Sequence, residues 1–210
     1  SYVIKAEEEV FGAATFLSRP NVHVLPIKMG DLNNIQLDNI SKAFDADFVI
    51  VFGSSFIKSP LVDILIGKKA INIHMGVSPY FRGSGCNFWA IYDNYPEFVG
   101  STIHYLSKGL DSGPILFHAM PPPCIIDPFH LGMEAVKSAH MGLLSYIKNG
   151  MLSGLKPIEQ DRSLEIRYSR YVDFTDVIVK EYLEKNQRDS NVSVLIKKNV
   201  KEQLINPFFM

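Results

Sequence analysis

Two short apolar runs, set one helix apart, constrain this chain more than any other feature. Residues 48–52 read Phe-Val-Ile-Val-Phe and stop at Gly53; residues 70–74 read Ala-Ile-Asn-Ile-His and stop at Met75-Gly76. A continuous apolar run like the first is how a strand buried on both faces of a parallel sheet looks. Between the runs, Ser59-Pro60 is a helix-start signal. Upstream, residues 22–27 (VHVLPI) read as a further short strand. Asp31 then caps a stretch in which Leu37, Ile40 and Phe44 recur at helical spacing. Strand and helix in alternation predict an α/β fold.

Downstream the pattern changes. Residues 99–106 and 115–119 are two β runs joined by Ser107-Lys108-Gly109-Leu110-Asp111-Ser112-Gly113, which predicts a β-hairpin with a long polar connection. Pro128 opens a helix expected to reach about Leu152, with Leu131, Ala135, Ala139, Leu143 and Ile147 on one face. A second amphipathic helix is expected over 173–185 and a weak strand over 192–196. At the start, Tyr2-Val3-Ile4 reads as a strand fragment ahead of Lys5 and Glu7-Glu8-Glu9. It is too short for a full first strand and helix, so the N-terminal part is expected to be incomplete. The expected organisation is a catalytic domain over 1–152 and a C-terminal extension over 153–210 packed on the same body.

Composition narrows the function classes. Hydrophobic residues are 47% and charged residues 20%, enough for a sizeable core. That excludes a disordered chain, a coiled coil and a disulfide mini-protein. The net charge of -1, from 21 basic and 22 acidic residues, argues against a broad nucleic-acid surface. Cys86 and Cys124 lie far apart without metal-ligand spacing, which points to a reduced, cytoplasmic setting and no metal site. No apolar run reaches the ~18–20 residues of a membrane span, and no signal-peptide pattern opens the chain. The expectation is therefore no nucleic-acid or membrane partner. A homodimer is expected for a small cytosolic enzyme, with residues 186–210 and their Phe208-Phe209-Met210 end as the candidate contact.

The chemistry concentrates where the second apolar run ends. Asn72 and His74 are two residues apart on a strand, so both face the same way. Ligands in open parallel sheets bind beyond the carboxyl ends of strands. An amide beside an imidazole suits acyl-group chemistry: the amide donates to a developing oxyanion, and the imidazole moves a proton near neutral pH. Asp111, between Gly109 and Gly113 in the hairpin loop, is placed to orient the imidazole and favour its charged form. It also fits a plain turn residue. Ser84-Gly85-Cys86 is glycine-flanked but lacks the strand-to-helix elbow of a nucleophile. Spacing alone leads to an α/β enzyme whose reaction is open.

A longer series of motifs goes further. Asn72-Ile73-His74 is followed by Ser78-Pro79-Tyr80-Phe81-Arg82-Gly83, Asn87-Phe88-Trp89-Ala90, Gly100-Ser101-Thr102-Ile103-His104 and Leu110-Asp111-Ser112-Gly113-Pro114-Ile115. In that order and spacing, residues 46–120 resemble the folate-dependent formyltransferase family. The resemblance implies a Rossmann-like, mostly parallel sheet with flanking helices, a β-hairpin and a small C-terminal extension. It also implies N10-formyltetrahydrofolate as formyl donor and Asn72, His74 and Asp111 as catalytic residues, with direct transfer to an amine and no covalent enzyme intermediate. The folate site it implies is Gly53, Phe56, Ile57 and Lys58 on one loop and Ser107 and Lys108 on the other, although Phe56 and Ile57 fit a core equally well.

The departures bear on the acceptor. Many relatives carry proline and serine after the catalytic histidine, whereas Met75-Gly76 stand here. This alters the loop facing the amine and argues against glycinamide ribonucleotide as acceptor. Only 99 residues follow Asp111 and the charge is not basic, which disfavours methionyl-tRNA. The Pro-Tyr-x-Arg-Gly and Asn-Phe-Trp-Ala segments resemble the sugar N-formyltransferases. The implied acceptor is a nucleotide-linked deoxyamino sugar of surface-polysaccharide synthesis, first dTDP-4-amino-4,6-dideoxyglucose. Met75, Tyr80, Arg82 and Trp89 are its candidate contacts: Arg82 for a diphosphate, Tyr80 and Trp89 for stacking. A loop-shaping role for Arg82 and a core role for Trp89 are the opposing readings.

Overall fold

A computed structural model describes residues 1–13, 20–122, 127–188 and 200–210. Its centre is a five-stranded sheet in the order β1, β2, β4, β5, β7, formed by β1 (Ile50–Phe52), β2 (Ile71–His74), β4 (Ser101–Tyr105), β5 (Ile115–Met120) and β7 (Phe208–Phe209). β1 and β2 pair parallel, as the two apolar runs predict, and β5 and β7 pair parallel at the other edge. The hairpin β4–β5 enters antiparallel to β2. A two-stranded parallel ladder of β3 (Phe81–Gly83) and β6 (Arg167–Ser169) stands apart. Helices α1 (Tyr2–Phe11), α2 (Leu61–Gly67), α3 (Cys86–Tyr92), α4 (Pro128–Lys148) and α5 (Asp176–Arg188) surround the strands.

α4 starts where its sequence says it should. The Asp127 side chain accepts from the Phe129 and His130 N–H groups at 2.7 and 3.2 Å, and Pro128 occupies the first turn. Leu131, Ala135, Ala139 and Leu143 are buried, and Ile147 packs against the sheet's apolar cluster. The C-terminal part folds back on the rest: β6 lies on β3, β7 on β5, and Tyr182 of α5 stacks on Phe88 of α3 at 4.2 Å between ring centroids.

Several local expectations fail, each for a tertiary reason. Tyr2-Val3-Ile4 is the first turn of α1, not a strand: Ser1 Oγ accepts from the Ile4 N–H at 3.3 Å, and Tyr2 stacks on Phe129 of α4. Capping and packing override the β preference of Val3 and Ile4. Residues 22–27 are irregular and exposed, because they find no ladder partner among the described residues. Residues 31–34 and 37–45 form 3₁₀ turns in place of an α-helix, and Asp31 lies inside the first turn after Gly30 instead of capping it. Leu37, Ile40 and Phe44 nevertheless share one face, packed against Val51, Ile57 and Leu61. β1 is buried on one face only: Val51 is buried, while Ile50 and Phe52 are nearly half exposed, with the edge of His140 as the contact on Phe52. The strand expected over 192–196 lies outside the described residues.

Phe117 on β5 is fully buried among Ile73, Ile103 and Leu143 and packs on Tyr146 at 4.6 Å. Phe117→Ala leaves a cavity under the sheet that carries the site. It should lower the unfolding free energy by about 3–5 kcal/mol, read from the urea midpoint at unchanged slope.

Candidate functional site

The antiparallel pairing of β2 with β4 does the first positioning. It sets Asn72 opposite His104 and His74 opposite Thr102. Above these residues opens a cavity of about 350 Å³. Asn72, His74, His104 and Asp111 form one wall, residues 53–57 after β1 a second, and Leu106, Ser107, Gly109 and Leu110 of the hairpin a third. Asn33 holds the first loop in shape: its amide donates to the Phe56 carbonyl at 2.8 Å and its oxygen accepts from the Lys58 N–H at 2.7 Å.

Asp111 sits in the left-handed region at φ 46°, a conformation Asp tolerates better than most residues. Gln160 holds it there, donating to the Asp111 and Gly113 carbonyls at 2.9 and 2.8 Å. Arg82 donates to the Leu110 carbonyl at 3.0 Å. Gly113 lets the loop close on β4, since a Cβ there would fall 1.8 Å from the Tyr105 carbonyl oxygen. The carboxylate then reaches both partners on β2: Oδ1 accepts from Asn72 Nδ2 at 3.3 Å, and Oδ2 lies 3.3 Å from His74 Nδ1.

The two histidines differ in charge. His104 Nδ1 lies 2.8 Å from the Tyr105 carbonyl, so that nitrogen carries the proton, and Nε2 accepts from Asn72 Nδ2 at 3.0 Å. Burial pushes its pKa down to about 4 against the pull of that carbonyl, so it stays neutral. For His74, burial also opposes charge. Cys86 Sγ, 3.5 Å from Nε2, and the Asp111 hydrogen bond outweigh it and raise the pKa above the ordinary value. Burial alone would lift the Asp111 carboxyl; the hydrogen bond from His74 and the charges of His74 and Arg82 hold it below its usual value. The site thus combines a favoured imidazolium, a carboxylate and a fixed amide at one cavity wall, a set suited to stabilising an oxyanion and moving a proton.

The structure brings Asn72, His74 and Asp111 together, and Gly53, Phe56, Ile57, Ser107 and Met75 also line the cavity. Lys58 meets Asn33 through its backbone, with its side chain exposed, and Lys108 pairs outward with Asp63 at 2.8 Å; neither lines the cavity. Tyr80, Arg82 and Trp89 do not line it either. Tyr80 stacks on Phe98 and donates to the Gln203 carbonyl at 3.0 Å. Trp89 is 2% exposed beneath the Arg167 guanidinium, 4.2 Å from its ring. Arg82 is buried, pairs with Glu165 at 2.9 Å and donates to the Leu110 carbonyl, bracing the loop that carries Asp111; it lines a separate cavity with Arg162, Glu165 and Tyr168. Sequence reasoning gave no role to His104, Cys86 or Gln160. His104 stood in the quoted motif series, but only the β2–β4 register places it against Asn72. Among the described residues, no group of three or more His, Cys, Asp or Glu is arranged to hold a metal, and no helix is long and apolar enough to cross a membrane.

The profile of the formyl transferase family matches residues 15–136. Mitochondrial formyltetrahydrofolate deformylase 1 of Arabidopsis thaliana is 29% identical over 107 residues, covering 48% of this chain and 31% of that protein. Methionyl-tRNA formyltransferase of Synechococcus sp. is 32% identical over 126 residues, covering 58% and 38%. The chain thus spans about a third of the length of these curated relatives. Among solved structures, a 4-N formyltransferase from Francisella tularensis aligns at TM-score 0.54 and 22% identity, over 75% of this chain and 66% of that one. The formyltransferase PseJ from Anoxybacillus kamchatkensis, solved with UDP-4,6-dideoxy-4-formamido-L-AltNAc and tetrahydrofolate, aligns at 0.50 and 22% over 83% and 82%. At these identities the structural likeness is one of fold.

Burial holds His118 at about 4 as well as His104, even though its Nε2 faces the Ser78 carbonyl. Unfolded, both take up a proton near pH ~6.5. Between those values the unfolded chain binds more protons, so stability falls as pH drops. The raised pKa of His74 acts elsewhere: its contribution is complete below ~6.5 and is lost as pH rises. The urea midpoint should therefore be lower at about pH 5 than at about pH 7; a flat profile would contradict neutral burial of the two histidines.

Proposed function

The chain belongs to the formyl transferase family, and on that premise we propose that its site passes a formyl group from N10-formyltetrahydrofolate to an amine. The observation that carries this is the convergence of Asn72, His74 and Asp111 on one wall of a cavity bounded by two loops. The lining suits a flat heterocycle, with Ile57, Val62 and Leu106 available to its faces and residues 53–57, Ser107, Gly109 and Leu110 to its polar edge. When bound, the donor supplies an electrophilic formyl carbon.

His74, favoured in its charged form, stabilises through its positive charge the oxygen that gains negative charge as the amine adds. Asn72 gives one amide proton to His104 at 3.0 Å; the other, shared with Asp111 at 3.3 Å, is the longer contact and the one that turns to the oxyanion. Asp111 keeps the imidazolium charged and receives the proton that the amine sheds. The amine loses one proton and the folate nitrogen gains one, so the His74–Asp111 pair ends each turnover as it began.

For the acceptor we keep the amine of a nucleotide-linked deoxyamino sugar, first dTDP-4-amino-4,6-dideoxyglucose. The motif series supports it, and PseJ, of like fold, was solved with a sugar nucleotide of this kind. Because Tyr80, Arg82 and Trp89 stand off the cavity, Met75, Ser84 and Gly85 become the candidate contacts. We also keep 1–152 as catalytic domain and 153–210 as its extension, in keeping with the β3–β6 and β5–β7 pairings.

The test is release of tetrahydrofolate with a panel of acceptors: dTDP-linked 4-amino and 3-amino dideoxysugars, a GDP-linked amino sugar, glycinamide ribonucleotide, methionyl-tRNA and water alone. Release with one sugar nucleotide is the expected outcome. Release with water alone would assign a deformylase, and release only with the ribonucleotide or the tRNA would overturn the sugar reading. With the active acceptor, His74→Ala and Asn72→Ala should each lower turnover by ~10²-fold or more. Wild-type rates in either variant would remove the role given to that residue.

A further inference from the structure

Both ring nitrogens of His74 are engaged by the protein itself. Nδ1 faces Asp111 Oδ2 at 3.3 Å and Nε2 faces Cys86 Sγ at 3.5 Å. Cys86 opens α3 directly after Gly85, which lies in the left-handed region, and it is fully buried. Its sulfur also lies 3.4 Å from the Gly83 carbonyl oxygen, which can only accept. The thiol proton therefore points to Gly83, and a sulfur lone pair faces Nε2–H.

In this arrangement the line from Asp111 through His74 and Cys86 to Gly83 is satisfied with a proton on each imidazole nitrogen. Remove the Nε2 proton and the thiol must swing its own proton back to the ring, abandoning the Gly83 carbonyl. The contact depends on Gly76. A Cβ there would lie 2.4 Å from Cys86 Cβ and 2.9 Å from His74 Nε2. The glycine after Met75 and the cysteine on α3 are thus a sterically matched pair against the same imidazole. Asp111, Cys86 and, farther off, His104 are the titratable groups acting on His74.

We propose that Cys86 is a positioning residue whose thiol holds the His74 imidazole in line with Asp111 in its doubly protonated form. The sulfur does not carry the formyl group, since full burial keeps it from a donor in the cavity. The kinetic consequence rests on the formyl-transfer reading; the geometric one does not.

The experiment follows the His74 ring resonances by NMR across roughly pH 5–10 in the full chain, for wild type, Cys86→Ala, Cys86→Ser and Gly76→Ala. His74→Gln assigns the peaks. Donor turnover is measured over the same range, and circular dichroism confirms folding. Cys86→Ala should lower the His74 titration midpoint by about one pH unit or more, with the alkaline limb of the kcat profile moving alongside and the folate KM within about twofold. Gly76→Ala, which pushes the sulfur off the ring, should shift the midpoint the same way. Cys86→Ser keeps a polar partner and should recover most of the shift. An unmoved midpoint in Cys86→Ala overturns the proposal, and so does a formyl thioester found on Cys86 after acid quench. Should the wild type release no folate with any acceptor, the formyl-transfer reading fails, while the ring titration still decides the role of Cys86.

Discussion

A single carboxylate ties the site together. Asp111 offers one oxygen to Asn72 and the other to His74. Its loop is braced accordingly. The backbone takes a positive φ at the aspartate, Gln160 clamps the carbonyls of Asp111 and Gly113, and Arg82 reaches in from β3 to the preceding carbonyl. Arg82 in turn is held by Glu165. This wall therefore depends on segments far apart in the chain, from the β3 strand to the connection ahead of β6.

Two buried histidines beside the same carboxylate end in opposite protonation states. Both lose hydration, which favours the neutral ring. His104 gains a carbonyl on one side and an amide donor on the other, partners that a neutral imidazole satisfies completely. Its Nε2 lies 4.0 Å from Asp111, too far for a hydrogen bond. His74 has the carboxylate at contact on one nitrogen and a sulfur on the other, and charge is favoured there. The neutral ring fixes the amide, and the charged ring sets a positive charge beside it.

Legibility along the chain followed the range of the interactions involved. The β2 pair Asn72 and His74, the hairpin and the α4 start were readable because a two-residue alternation, a glycine-rich connection and an Asp-Pro cap act within a few residues. The 22–27 segment and Tyr2-Val3-Ile4 misled because a strand needs a partner that local composition does not reveal. Tyr80 and Trp89 misled for a related reason: large aromatics next to a glycine-rich loop suit a ligand wall and a core alike, and the packing of α3 against Phe174 and Arg167 settles it for Trp89.

Sequence alone determined the alternation of strand and helix, the place of the Asn-x-His pair at a strand end, and the loop that carries Asp111. These depend on local periodicity and on residue chemistry. Tertiary structure alone decided that His104 faces Asn72, that Cys86 lies on His74, and that Arg82 braces the loop that carries Asp111. Each of those contacts joins residues 12 to 32 positions apart. Their geometry comes from strand register and helix packing, and so do the charge states that the chemistry uses, because burial and neighbours set them.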